Sequence, residues 1–222
     1  KKIGDPGSLA LKYYEEGADE ILYIDIVASL YQRGPIFKEV ESIANNIFVP
    51  LAVGGGINSI EHISKMFHCG ADKISLNTFP LQQDADIIDK AARKFGSQAI
   101  LISIEAKKHD NWWECYSDCG REKSGINVLN WAKEVEERGA GEIIIQSVDR
   151  DGKRSGFDIE LIKSIKDQVK IPIIAASGAG SIDDIVNLMK FANPDAIAVS
   201  SILHYEIASI KEIKNALKSH EL

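Results

Sequence analysis

The chain has 222 residues, 45% hydrophobic and 27% charged, with a net charge of −7. Its length suits one domain with a large core, and its composition is ordinary for a globular protein. The acidic balance disfavours nonspecific nucleic-acid binding while leaving room for a local anion pocket; no apolar run approaches the ~20 residues that cross a bilayer, and nothing at the start resembles a secretory signal.

In chain order, a loop through Pro6 leads to a helix over Ser8–Glu16, then a buried strand over Ile21–Ile26. Ile36, Val40 and Ile43 have helical spacing within Pro35–Asn45. A strand over Pro50–Val53 runs into Gly54-Gly55-Gly56, and a helix over Ser59–Cys69 has Ser59 as its cap. Lys73–Leu76 predicts a strand ahead of Asn77-Thr78, and Asp84–Phe95 a helix. The strand Ala99–Ile104 ends in Glu105, and Trp112–Tyr116 alternates like one arm of a hairpin. There follow a helix over Val128–Arg138, a strand over Glu142–Val148 ending in Asp149, and a helix over Ile159–Val169. A strand over Ile171–Ala175, a helix over Ser181–Lys190, a strand over Ala196–Val199 and a helix over Ser209–Lys218 complete the series. Period, breakers and β-branched content carry these assignments.

Short apolar strands alternating with amphipathic helices predict an α/β fold with a parallel sheet. Seven core strands are expected, one fewer than the eight of a TIM (β/α)8 barrel, so the first strand is read as missing from this chain. No linker divides the sequence, so residues 1–222 are expected to form a single barrel domain.

The chain also repeats itself. Gly17–Gly56 and Gly139–Gly178 align without a gap at an offset of 122, and one residue further on Asn77-Thr78 falls on Ser200-Ser201. A long internal period marks a duplicated unit, here two half-barrels of about residues 1–100 and 101–222. In each copy two strands end in Gly, Ser, Thr or Asn. Such ends suit phosphate: glycine lets the backbone approach closely, and a following helix presents its amides. Two copies predict two phosphate sites and a small ligand with a phosphate at each end.

Cys69, Cys115 and Cys119 make an odd count, which argues against a disulfide framework and for a reducing cytoplasm. His109, Cys115 and Cys119 offer three metal ligands at most, so a solvent-side hairpin with two free thiols is expected rather than a metal site.

Several stretches resemble the histidine-biosynthesis barrels. These are Gly4-Asp5-Pro6, Gly17-Ala18-Asp19-Glu20, Val53-Gly54-Gly55-Gly56-Ile57, Gly70-Ala71-Asp72-Lys73, Phe95-Gly96-Ser97-Gln98, Glu134–Glu142, Asp149-Arg150-Asp151-Gly152 and Gly156-Phe157-Asp158. The likeness runs from about Gly4 to the end and is closer to the cyclase subunit of imidazole glycerol phosphate synthase than to the related isomerase. Cyclase-like proteins of surface-polysaccharide gene clusters, which amidate a sugar, are near relatives. The resemblance implies a cytoplasmic enzyme of histidine biosynthesis without metal or redox cofactor. It would join ammonia from a glutaminase partner to a bis-phosphorylated precursor, closing the imidazole ring and releasing an aminoimidazole carboxamide ribotide. The alternatives are the sugar-amidating paralogue and a non-catalytic phosphate-binding barrel.

By the same resemblance, Gly56, Asn77 and Thr78 match one phosphate site. Gly152, Gly178, Ser200 and Ser201 match the other, and Asp151 matches a substrate contact. Glu20, Lys73 and Glu142 match three of four charged residues that gate ammonia at the barrel floor. The fourth gate residue, an arginine, and the strand-1 aspartate that pairs with the strand-5 carboxylate, with a lysine of the first loop, have no counterpart in this chain; among the residues present, it departs from the family at three places. Glu105 stands where a catalytic aspartate is usual, Ala176-Ser177-Gly178 replaces Ser-Gly-Gly, and Gln146 replaces Thr or Asn. Asp25 is read as either a loop-holding or a functional carboxylate.

Overall fold

The computed structural model describes residues 4–28, 31 and 33–221. The start of the expected opening loop, residues 1–3, lies outside the described residues. Two compact units make up the chain: one runs through Ile102 and includes Arg138–Gly141, and the other comprises Ser103–Glu137 and the residues from Glu142 onward.

The first unit opens with helix α1, Pro6–Glu15. Its start is encoded locally: Asp5 accepts from the Ser8 amide, and Pro6 sits where a missing N–H costs nothing. Parallel strands β1 (Ile21–Ile24), β2 (Leu51–Gly54) and β3 (Lys73–Leu76) follow, and β3 pairs with the start of β4 (Ile100–Lys108). Between them lie α2 (Phe37–Ala44), α3 (Ile60–His68), α4 (Thr78–Gln82) and α5 (Asp86–Phe95). The apolar stripes are narrow and regular: α2 buries Val40 and Ile43, α3 buries Ile63 and Met66, and α5 buries Ile87, Ile88 and Ala91. Leu51, Val53, Ile74 and Leu76 of the strands are buried as well; each such side chain removed from water stabilises by about 1.5–3 kcal/mol.

The second unit carries the rest of β4, an antiparallel excursion of β5 (Trp113–Ser117) and β6 (Glu122–Asn127), then α6 (Val128–Glu137) and β7 (Glu142–Ser147). Helix α7 (Ile159–Lys166), strand β8 (Ile173–Ala176), helix α8 (Ile182–Phe191), strand β9 (Ala196–Ile197), and helices α9 (Ser201–His204) and α10 (Ile210–Ser219) complete it. Strands β7, β8 and β9 are parallel.

The strand order is β1-β2-β3-β4-β7-β8-β9, seven parallel strands among the described residues, with helices between them. This is the α/β order of a TIM (β/α)8 barrel, and all seven expected strands are present. Three elements escape the sequence pattern. Helices α4 and α9 are too short for a 3.6-residue period to register, and α4 contains Pro80. Strand β6 reads Glu-Lys-Ser-Gly-Ile-Asn, with no apolar alternation.

The hairpin needs a correction: it does not simply face solvent. Every β5 residue is buried and the strand packs on α6, whereas β6 buries none of its residues. Cys115 is fully buried, and burial drives its thiol far above the ordinary range. Cys119 lies exposed in the turn. His109 is held by Glu114, whose Oε2 lies 2.7 Å from its Nε2, and stacks on Trp112. No group of three or more His, Cys, Asp or Glu placed to share a metal occurs among the described residues, and no helix there is long and apolar enough to cross a membrane.

Candidate active site

The repeat seen in the sequence is also a repeat in backbone conformation. In the first unit, β2 ends at Gly54 and the chain turns through Gly55 (φ +103°) and Gly56 (φ +67°). A methyl group on Gly55 would lie 2.4 Å from the Asp25 carbonyl oxygen, and one on Gly56 would lie 2.5 Å from that of Arg33. Glycine is therefore required twice over, by dihedral and by space. Ser59 caps α3 by accepting from the His62 amide. Asn77, after β3, has φ −139° and ψ −86° and makes no side-chain cap bond.

The second unit repeats the arrangement. The residues aligned with Gly55 and Gly56, Ser177 and Gly178, have φ +68° and +111°. A methyl group on Gly178 would lie 2.3 Å from the Gly156 carbonyl oxygen. Ser200 has φ −135° and ψ −65°, close to Asn77, and likewise makes no side-chain cap bond. Thr78 and Ser201 are the first residues of α4 and α9. One detail differs: α8 starts with a capping box, in which Asp184 accepts from the Gly180 and Ser181 amides while Ser181 Oγ accepts from the Asp184 amide. Helix α3 has His62 at the corresponding position and no such box.

Ser177 is a non-glycine residue in a left-handed conformation, which costs about 1–2 kcal/mol for an L-residue. Its hydroxyl donates to Asp151 Oδ1 at 3.2 Å, so the substitution ties the cradle to the Asp151 loop. Ser177→Gly should therefore be more stable than Ser177→Ala by about 1 kcal/mol, because both lose the hydroxyl and only glycine relieves the backbone. Urea midpoints at equal slope measure this; equal midpoints would remove the strain argument.

Glu105 lies in β4 opposite Tyr116 of β5, half-buried. Its Oε2 accepts from the Gly120 amide at 2.7 Å. Gly120 ends a run of three left-handed residues with Asp118 and Cys119, and a methyl group there would lie 2.8 Å from Val148. The carboxylate thus grips the hairpin turn at the end of β7. Partial desolvation of the thiol first, and the Glu105 charge second, push exposed Cys119 above its ordinary range.

Asp25 has the bonds of a loop-holding residue: it accepts from the Val27 amide and, through both oxygens, from the Arg33 guanidinium at 3.1 Å. Asp149 accepts from the Lys108 amide at 2.7 Å, and Gln146 donates to Ser103 Oγ at 3.0 Å. Asp151 and Gly152 lie exposed in the loop after β7. At the opposite, strand-entry end, Lys73 Nζ bonds Glu20 Oε2 at 2.7 Å in a half-buried pair. Glu142 opens β7 in the second unit and is half-buried. Sequence reasoning missed the partners that position these groups, namely Gly120 for Glu105, Arg33 for Asp25 and the Lys108 amide for Asp149.

The family model for histidine biosynthesis proteins matches residues 1–209. The chain belongs to the histidine biosynthesis protein family. Among histidine biosynthesis proteins, it is similar to the imidazole glycerol phosphate synthase subunit HisF of Dehalococcoides mccartyi, with 42% identity over 222 residues, covering all of this chain and 87% of that one. It is 43% identical over 222 residues to the corresponding subunit of Prochlorococcus marinus, covering 99% of this chain and 86% of the relative. It is 41% identical over 218 residues to that of Metallosphaera sedula, covering 98% and 86%.

Proposed function

We propose that this chain is the cyclase subunit of imidazole glycerol phosphate synthase, an enzyme of histidine biosynthesis. The duplicated turn geometry is the observation that carries this reading in detail: Gly55-Gly56 with Asn77-Thr78, and Ser177-Gly178 with Ser200-Ser201. Each set suits one phosphate of a bis-phosphorylated precursor, and the two half-barrels belong to one catalytic domain. Gly56, Asn77 and Thr78 hold one phosphate; Gly152, Gly178, Ser200 and Ser201 hold the other, with Asp151 on the substrate. Glu105 acts as a general acid or base while ammonia adds and the imidazole ring closes.

Ammonia comes from a glutaminase subunit at the strand-entry end, where Glu20, Lys73 and Glu142 form its gate. Support for the gate is the Lys73–Glu20 ion pair, 2.7 Å long and half-buried at the strand-entry end, which places opposite charges where the gate would lie. Lys73→Ala should lower glutamine-dependent turnover with the partner several-fold more than turnover on ammonium salt. Equal losses in the two assays would exclude the gate.

The deciding test is a steady-state assay of the full gene product with ammonium salt, using the imidazole precursor and a nucleotide sugar in parallel. Turnover of the imidazole precursor is expected. Amidation of the sugar alone would replace this reading with the polysaccharide paralogue, which the Glu105, Gln146 and Ser177 departures would then explain.

A further inference from the structure

The loop between β7 and α7 is fastened to the second cradle at several points. Ser177 donates to Asp151, and the Gly156 amide donates to the Gly178 carbonyl at 3.0 Å. Arg154 lies between them, with φ +53°. A methyl group on Gly180 would lie 2.4 Å from the Arg154 carbonyl oxygen and 2.7 Å from its Cβ. The Arg154 guanidinium carbon stands 4.3 Å from the centre of the Tyr205 ring. Tyr205 closes α9, its amide bonded to the Ser201 carbonyl at 3.0 Å. Arg154 therefore reaches from the Gly178–Gly180 turn to the short helix that Ser200 and Ser201 begin.

The first cradle offers a direct contrast. There the arginine whose backbone abuts the glycine turn, Arg33, spends its guanidinium on both oxygens of Asp25. Arg138 is taken by Asp86 and Asp89, and Arg150 by the Ser155 carbonyl. Arg154 has no carboxylate partner among the described residues. Stacking on an aromatic face orients a guanidinium without using its N–H donors, which stay available in the planar fork that fits phosphate oxygens.

We infer that Arg154, held on the Tyr205 ring, is a phosphate-binding residue of the second cradle. This rests on the reading of that cradle given under Proposed function. It gives the second cradle a positive charge of its own, held in place by the Tyr205 ring, while the charge of Arg33 in the first is cancelled by Asp25.

Titration of the full-length protein with inorganic phosphate, followed through backbone amide shifts, tests both levels. In the wild type, saturable shifts are expected at Gly56 and Thr78 for the first cradle and at Gly178, Gly180 and Ser201 for the second. Arg154→Gln should weaken the second set about tenfold and leave the first unchanged. Arg154→Lys should recover part of the loss, and Tyr205→Phe, which keeps the ring, should bind as the wild type does. Lys153→Gln, an equal loss of charge next door, should change little. Unchanged second-cradle affinity in Arg154→Gln, or an equal loss in Lys153→Gln, would overturn the role of Arg154 while the two-cradle reading stands. Absence of saturable shifts at either cradle in the wild type would overturn the phosphate reading and Arg154 with it.

Discussion

Glu105→Gln is expected to lower ammonia-dependent turnover by at least ~100-fold, the usual scale for loss of a positioned general acid or base. Binding of phosphate ligands should stay within a few-fold. The substitution keeps the size of the side chain and an oxygen able to accept from the Gly120 amide, now at 2.7 Å. It removes the charge and the titrating proton that the proposed acid–base role requires. The hairpin turn should therefore stay in place, and amide shifts at Gly120 would verify that. Wild-type rates in this variant would mean that another group carries the proton. Glu105→Asp asks a second question. The shorter side chain draws the carboxylate back from Gly120, so a loss of rate accompanied by a moved Gly120 amide would show that the longer residue is fitted to this turn. A misplacement of about 1 Å can cost ~100-fold by itself.

Gly178→Ala is the substitution with the largest expected effect on stability. The new methyl group would lie 2.3 Å from the Gly156 carbonyl oxygen, and the residue sits at φ +111°. Backbone cannot yield as a flexible side chain does, so a loss of about 3 kcal/mol or more is expected. Gly156 also bonds the Gly178 carbonyl, so displacing it should loosen the loop that carries Asp151 and abolish phosphate binding in that cradle. Gly152→Ala is the control: φ is +68° there but nothing lies within 4 Å of the added methyl, so only the dihedral cost of about 1 kcal/mol applies. Denaturant midpoints measure both. Similar losses in the two variants would mean that crowding at Gly178 contributes nothing.

Much of this was legible in the sequence because it is local. Ser59, Ser181 and Ser209 each announce a helix and each is found capping one. The glycines of the repeat announce turns, and the aligned turn residues have positive φ in both copies. What was not legible depends on residues that meet only after folding. Glu105 finds Gly120 fifteen positions away, and Arg154 finds Tyr205 from another loop altogether. The burial of β5 was not legible for a similar reason: Trp112–Tyr116 reads as one arm of a hairpin with a polar face, yet every β5 residue is buried, and Glu114 is accommodated by His109 and the Gly125 amide. The Asp25–Arg33 pair likewise joins two residues eight positions apart that no local pattern links.

The capping box at the start of α8 has a consequence for ligand orientation. Two identical receptors derived from one ancestor would accept a molecule with charged ends equally well in either direction, and half of the bound population would present the wrong atoms to Glu105. Asp184 occupies two amides at α8 that have no such occupant at α3. Under the proposed function, the two phosphates of the ligand would therefore meet unlike receptors, and that difference would break the head-to-tail degeneracy which duplication otherwise imposes.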